Sequence, residues 1–112
     1  MKISFGDKRL EDYASDERKR VRKLGAIRAK LYKQRLDDLY AANTLEEVRY
    51  LPGHNHELTE DRKGQWACDL DQPYRLIFTP TAQPIPTDPD GKYIWIEIDS
   101  IEIEEIDNYH GK

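Results

Sequence analysis

The sequence predicts an α+β protein in which two N-terminal helices pack on one face of a small antiparallel β-sheet. Residues 8–40 carry apolar side chains every three or four positions, which is the period of an amphipathic helix. Residues 54–106 instead alternate apolar and polar side chains in short runs separated by turn residues, as strands do. Helices followed by strands predict two packed layers, and we expect residues 1–112 to form a single domain.

The N-terminal part contains clear signals for where each element begins. Residues 3–5 alternate and stop at a glycine, which predicts an edge strand. Asp7 can cap a first helix, and a second, long helix is predicted to follow Asp16. Gly25 lies inside that second helix, where glycine costs about 1 kcal/mol relative to alanine, so a kink or break is expected there. The spacing of residues 44–47 is that of a capping box and predicts one further helical turn.

The pattern of residues 54–106 predicts a sheet with three short strands and one long strand. Residues 54–58, 65–70 and 74–78 are the short strands, with a turn at 59–64. Arg75 and Ile77 are predicted to lie on the face of the sheet opposite Leu76. Because the helices cover only one face, we expect this other face to be open to a ligand. A proline-rich loop is predicted at 79–91, and a strand at 93–106 whose apolar phase flips at Asp99-Ser100, where a bulge or turn is expected.

Charge and composition indicate which partners and which cellular location are expected for this protein. Residues 1–49 carry a net charge of +4 and residues 50–112 a net charge of −8, which together give the overall −4. The segment 18–35 holds nine basic side chains and no acid, so it either attracts a phosphate backbone or an acidic partner, or simply solvates a helix surface. Cys68 is the single cysteine, and we expect a buried, inert thiol and a cytoplasmic location. The sequence has neither the long apolar run of a membrane span nor the apolar core of a signal peptide, so we expect no membrane partner.

Several polar side chains at predicted strand ends are candidates for chemistry. They are His54, His56, Arg62, Lys63, Arg75, Tyr109 and His110. A metal site is not expected, because the histidines lack both a flanking cysteine and helical spacing. RNA cleavage without a metal needs a base for the 2′-hydroxyl proton, an acid for the leaving oxygen and a cation for the phosphate. Histidine suits the proton transfers, and the planar fork of arginine suits the phosphate.

A set of short motifs in fixed order carries a family resemblance. They are Phe5 with the helix after it, the basic second helix, Leu51-Pro52-Gly53 leading to His56-Glu57-Leu58, Asp61-Arg62-Lys63-Gly64-Gln65-Trp66, Pro73-Tyr74-Arg75-Leu76-Ile77-Phe78, and residues 107–110. With these motifs the chain resembles the HigB group of toxins in the RelE/ParE superfamily, also called plasmid maintenance system killer proteins. The resemblance implies a ribosome-dependent mRNA endonuclease that needs no cofactor, arrests growth, and is held inactive by a HigA-like helix-turn-helix antitoxin.

The resemblance also assigns roles to particular residues. The catalytic residues of the family fall on His56, Arg75, Tyr109 and His110. Contacts with RNA are expected from Arg62, Lys63 and Asn108.

Two positions depart from the family pattern. The family has a lysine where this chain has Thr59, and an aspartate where it has Asn108. Loss of a cation and a carboxylate implies weaker catalysis, with Asp107 and Lys63 as candidate replacements. Two alternatives therefore remain open, namely a protein of the same fold that only binds a partner, and a topoisomerase poison of the ParE branch.

Overall fold

The structure is a computed structural model that describes residues 1–108, so the predicted roles of Tyr109 and His110 lie outside the described residues. The strands are β1 (Lys2–Phe5), β2 (His56–Glu57), β3 (Trp66–Asp69), β4 (Tyr74–Pro80) and β5 (Ser100–Asn108). The helices are α1 (Lys8–Ser15), α2 (Glu17–Leu24), α3 (Ala26–Ala41) and α4 (Leu45–Val48), with short 3-10 turns at Glu60–Arg62 and Trp95–Glu97. The predicted α+β class is confirmed.

The helical part is divided more finely than the two helices predicted. Gly25 adopts φ +83° and ends α2, so the predicted long helix is two helices, and the expected break is confirmed. The Asp7 carboxylate accepts from the Leu10 backbone N–H at 2.9 Å and caps α1, and Asp16 caps α2 in the same way through Lys19 at 3.0 Å.

The extra turn predicted after these helices is confirmed as α4, although its predicted capping box does not form. The Thr44 side chain makes no cap bond. The Glu47 carboxylate instead accepts from the backbone N–H of Asn43 at 3.3 Å.

The described strands form one mixed sheet in the order β1-β5-β4-β3-β2. The prediction of an antiparallel sheet is confirmed for β2 to β5 and wrong for β1, which runs parallel to β5. A parallel pair needs a long crossover, and here the helices and the antiparallel strands separate the two partners along the chain. Alternation within β1 could not reveal this pairing, because the period is the same in both kinds of sheet.

Two predicted strands are shorter than the alternation suggested. β2 starts only at His56, because His54 adopts φ +53°, a left-handed turn conformation. Residues 93–98 are not a strand: Tyr93 makes an isolated bridge to Thr87, and a 3-10 turn follows. In that turn Trp95 and Ile98 are both buried, because positions three apart share a face of a 3-10 helix. The alternation was therefore a misleading signal here.

The apolar phase changes twice. The expected change between Ile98 and Ile101 falls where a 3-10 turn ends and β5 begins at Ser100, and a second, unpredicted change lies within β5. The register with β4 shifts where Ile77 faces Glu105 and Phe78 faces Ile103, so Glu104 is the extra residue of a bulge. The proline-rich loop also starts later than predicted, since β4 continues to Pro80.

The core lies between one face of the sheet and the helices α1, α3 and α4. It is formed by Leu10, Tyr32, Leu36, Leu39, Leu45, Val48, Trp66, Cys68, Leu76, Phe78, Ile101 and Ile103, among others. The opposite face is not fully open as predicted, because Ala67 and Ile77 are buried there too. Arg62 reaches across to Glu105, the partner of Ile77, so the β2–β3 connection crosses this part of the sheet. Within residues 1–108, no helix combines the length and apolar character needed to cross a membrane.

Candidate functional site

A pair of stacked histidines lies where the chain enters β2. The rings of His54 and His56 are 4.4 Å apart with 22° between their planes. His56 Nδ1 is 2.7 Å from the backbone carbonyl oxygen of His54. Because that oxygen can only accept, Nδ1 carries the proton, and Nε2 of a neutral His56 ring is left as the proton acceptor. His54 Nδ1 is 3.7 Å from Asp69 Oδ2, which forms an ion pair when His54 is protonated.

Arg75 forms a partly buried ion pair on the same side of the molecule. Its Nε donates to Asp107 Oδ2 at 2.9 Å, and the two side chains are only 16% and 20% exposed. In the sheet Arg75 aligns with Asp69 on β3 and with Asp107 on β5. Each of the two neighbouring strands therefore places an aspartate opposite Arg75, and Asp107 fixes the orientation of the guanidinium.

The strand register brings His56 and Arg75 to one face of the sheet, away from the helices. His56 aligns with Ala67, which is two positions from Asp69 on β3, and alternate positions share a face. Two strand spacings, about 10 Å, separate β2 from β4, and Ala67 and Ile77, which lie between His56 and Arg75 on this face, are buried. We call this surface the His56–Arg75 face, defined by His56, Asp69, Arg75, Asp107 and Glu105.

The other predicted contacts with RNA are distributed over three places. Arg62 donates to Gln65 Oε1 at 3.0 Å and to Glu105 Oε2 at 3.2 Å, so it lies at the edge of the His56–Arg75 face. Lys63 is exposed and extends toward the ring of Tyr93, with 5.5 Å from Nζ to the ring centre.

Asn108 does not join that face. It aligns with Tyr74 on β4, the strand position next to Arg75, and so belongs to the face toward the helices. Its Oδ1 is buried and has no hydrogen-bond partner among the described residues. Thr59, one of the two departures from the family pattern, is exposed just before the 3-10 turn.

Hydrogen bonds that join Arg35, Asp69 and Gly53 support the turn that carries the histidines, and the sequence did not predict them. Arg35 Nε donates to the carbonyl oxygen of Asp69 at 2.7 Å, and the Asp69 N–H donates to the carbonyl oxygen of Gly53 at 2.7 Å. A Cβ on Gly53 would lie 2.5 Å from Arg35 Nε, and its φ is +108°. The glycine thus allows the guanidinium to pass, and the only sequence signal was its place in Leu51-Pro52-Gly53.

The charges around the His56–Arg75 face are mixed. Its two arginines are each paired with a carboxylate, Arg75 with Asp107 and Arg62 with Glu105. Beside them, burial and then the neighbouring Glu102 raise the pKa of Glu104 above its usual value. Binding of an anion at this face would therefore depend on how its arginines are oriented, because the face has no excess of positive charge.

The thiol on the opposite side of β3 takes no part in this site. Cys68 is fully buried, and burial raises its pKa to about 12, as expected for an inert thiol. Within residues 1–108, His, Cys, Asp and Glu side chains form no cluster of three that could hold a metal ion.

Fold and site together define an α+β protein with a mixed five-stranded sheet and a histidine–arginine surface on the side away from its helices. No family model matches the chain, and no curated protein matches it. Among solved structures, the chain is similar to a YoeB/ParE toxin from Agrobacterium tumefaciens, with 14% sequence identity and a TM-score of 0.47. That similarity covers 95% of this chain and 96% of the other.

Proposed function

We propose that this protein is the toxin of a type II toxin–antitoxin system and cleaves mRNA on the ribosome without a metal. The observation that carries the proposal is the shared face of His56 and Arg75, which are distant in the sequence and are brought together by the register of β2, β3 and β4. These are the two residue types that phosphodiester cleavage requires. The ordered motifs of the HigB group give independent support from the sequence.

The reaction is an attack of the ribose 2′-hydroxyl on the adjacent phosphorus. The 2′-oxygen loses its proton to a base, the P–O5′ bond breaks, and the 5′-oxygen takes a proton from an acid, which leaves a 2′,3′-cyclic phosphate and a 5′-hydroxyl. His56 suits the base, since the proton on Nδ1 leaves Nε2 as an acceptor. Arg75 stabilises the charge that develops on the phosphate. His110 is the proposed acid, and Tyr109 orients or stacks on a base of the RNA.

The partner of the toxin would be an antitoxin of the HigA-like, helix-turn-helix type. The described structure offers it a basic helical surface on α2 and α3, formed by the five exposed basic side chains of segment 18–35, which are Arg18, Arg22, Lys23, Lys30 and Lys33. Arg20 is buried, Arg28 pairs with Asp71, and Arg35 donates to the carbonyl oxygen of Asp69. An acidic or amphipathic antitoxin segment would complement that surface.

A second candidate function is supported by the acidic groups of the site. Asp69 and Asp107 flank Arg75, and Glu105 pairs with Arg62, so a bound phosphate would have to compete with carboxylates already in place. Together with Thr59 in place of the family's lysine, this favours a protein of the same fold that has lost cleavage and acts by binding alone. The ParE-type alternative, poisoning of a DNA topoisomerase, is tested in the same experiment.

The test uses a purified translation system programmed with one defined mRNA, with and without ribosomes. The proposal predicts ribosome-dependent cuts whose fragments end in a 2′,3′-cyclic phosphate and begin with a 5′-hydroxyl. Fragments with 3′-hydroxyl and 5′-phosphate ends would indicate a metal-dependent mechanism and overturn the chemistry. Intact mRNA together with cleaved DNA in a parallel topoisomerase assay would favour the ParE-type alternative, and intact substrates in both assays would favour the pure binder.

A further inference from the structure

A cavity lies beside the His56–Arg75 face, where the loop after β4 folds back onto the β2–β3 connection. It has a volume of about 540 Å³ and is open to solvent. Its lining comes from Lys63 and Gly64, from Thr79 at the end of β4, and from loop residues that include Ile85, Thr87 and Tyr93. None of the roles implied by the family resemblance uses this loop.

The loop is held in place by contacts that define the cavity. Ile85 is buried, and a Cβ on Gly64 would approach its Cδ1 to 3.2 Å, so the glycine permits the loop to pack on the turn. Thr79 Oγ1 donates to the carbonyl oxygen of Gly64 at 3.5 Å. The ring of Tyr93 packs against Trp95, with 5.0 Å between ring centres, so the core supports one side of this tyrosine.

The side chains at the cavity suit a nucleotide. Tyr93 is half-buried and presents a flat aromatic surface, on which any base can stack. Lys63 is exposed, and its Nζ lies over the Tyr93 ring, 5.5 Å from the ring centre. A base that stacks on the ring would displace this flexible ammonium group, which could then bind the phosphate of the same nucleotide. Thr87 is also exposed at the rim and supplies a hydroxyl for the edge of a base. A cavity of this volume falls within the range of small-molecule sites.

The cavity also lies in line with the proposed site of cleavage. Arg75, Ile77 and Thr79 alternate along β4 and therefore share one face, with Arg75 at one end and the cavity at the other. Four residues of a strand span about 13 Å, so a strand of RNA crossing the His56–Arg75 face would reach the cavity with a nearby nucleotide. Arg62, which pairs with Glu105, lies between them.

We propose that this cavity binds one base of the RNA strand beside the scissile phosphate, with Tyr93 stacking on the base and Lys63 contacting its phosphate. This subsite rests on the proposed function for its substrate and assigns a specificity role to the loop after β4. The loop would thereby influence which sequence is cut, while His56 and Arg75 carry out the reaction.

The test measures binding without cleavage, using fluorescently labelled RNA hexanucleotides whose 2′-hydroxyl groups are methylated. In a series, each position in turn lacks its base. For the wild-type protein, loss of the base at one position should weaken binding about 5- to 100-fold, the range for one stacked base. Tyr93→Ala should bind the complete hexanucleotide with that same loss and should be insensitive to the missing base, while Tyr93→Phe should behave as wild type.

Matched variants separate the subsite from a general effect on the fold. Tyr50 is 79% exposed and lies outside the cavity, so Tyr50→Ala should bind as wild type. Lys63→Ala should lower the slope of log affinity against log salt by about 0.7, as expected for one lost phosphate contact on a single strand. Lys33→Ala, which removes an exposed lysine from α3, should leave that slope unchanged.

The outcomes distinguish this proposal from the proposed function. Equal losses at all positions, or equal behaviour of Tyr93→Ala and Tyr50→Ala, would overturn the subsite even if the protein cleaves mRNA. Position-specific loss that depends on Tyr93 would support the subsite, and it would do so even in a protein that cuts no RNA.

Discussion

Arg75 illustrates how neighbours in the sheet fix the orientation of a single side chain. It aligns with Asp69 and Asp107, and its Nε donates to Asp107 at 2.9 Å. A guanidinium held by a carboxylate loses less side-chain freedom when it meets a phosphate. His56 is oriented similarly, since the His54 carbonyl oxygen fixes its Nδ1 at 2.7 Å. Both groups are therefore positioned before any substrate arrives.

Substitution of Arg75 tests whether its planar fork matters. Arg75→Ala should lower the rate of mRNA cleavage about 10²- to 10³-fold, the usual loss for a group that stabilises transition-state charge. Arg75→Lys should recover only part of the rate, because an ammonium cannot bind two phosphate oxygens side by side. Single-turnover rates in the translation system measure both effects, and Arg9→Ala, which removes a 79% exposed arginine on α1, is the control. Full activity of Arg75→Lys would contradict the assigned role.

Among the elements, α1 depends on a cap that titrates. The backbone N–H of Leu10 lowers the pKa of Asp7 from its usual 3.8; burial opposes this effect, and Arg9 lowers the pKa further. A carboxyl whose pKa is lowered on folding stabilises the folded protein above its unfolded pKa, and this stabilisation is lost as the pH falls through the lower, folded value. The cap is thus at full strength at neutral pH and fails in acid.

Two variants of Asp7 test this cap. Asp7→Ala should lower the free energy of unfolding by about 1 kcal/mol at pH 7, whereas Asp7→Asn should retain most of it, because asparagine is also a good N-cap. The difference between wild type and Asp7→Ala should shrink as the pH falls below 3.8. Urea unfolding at several pH values measures it, and a pH-independent difference would show that the carboxylate charge does not contribute.

The turn before β2 determines the positions of His54 and His56, and its conformation depends on Gly53. Gly53→Ala should lower the free energy of unfolding by more than about 1 kcal/mol, since φ is +108° and the new Cβ would displace Arg35 from the Asp69 carbonyl oxygen. Gly91→Ala is the matched control, because Gly91 also has a positive φ, +83°, with nothing within 4 Å. Equal losses in the two variants would mean that the contact with Arg35 has no energetic weight.

On the scale of the whole molecule, the two halves of the chain carry opposite charge, and apart from β1 they occupy different layers. Residues 1–49, at +4, include all four helices described, and residues 50–112, at −8, include β2 to β5. The His56–Arg75 face belongs to the acidic half, so RNA would have to be held there by paired arginines and by Lys63. The basic helices lie on the other side of the sheet and can contact a second partner at the same time.

Local signals in the sequence predicted much of this architecture. The caps at Asp7 and Asp16 and the break at Gly25 were predicted correctly, since each depends on a few neighbouring residues. The side of the sheet taken by Arg75 followed from alternation in β4. The parallel pairing of β1 with β5 was not predicted, because it joins residues about a hundred positions apart and alternation does not encode the direction of a partner.

The candidate site was predictable in its residue types and not in its surroundings. Arg75 was identified as a lone arginine in an apolar strand, and His56 as a polar residue at a predicted strand end that also matched the family resemblance. Asp69 and Glu105 became relevant only once the register was known. Asn108 was expected at the site and instead aligns with Tyr74 on the opposite face, because it occupies the alternate position to Asp107. A pairing register is a property of two strands, and neither strand alone specifies it.

The most direct test of the central claim is to map the 5′ ends of cellular mRNA after brief expression of the wild-type protein, His56→Ala and Arg75→Ala, each checked for an unchanged melting temperature. If the His56–Arg75 face cleaves RNA, new 5′-hydroxyl ends should appear within translated regions for the wild type and should fall to background in both variants, along with the growth arrest. Growth arrest by the wild type with intact transcripts, or cuts that persist unchanged in both variants, would contradict the account.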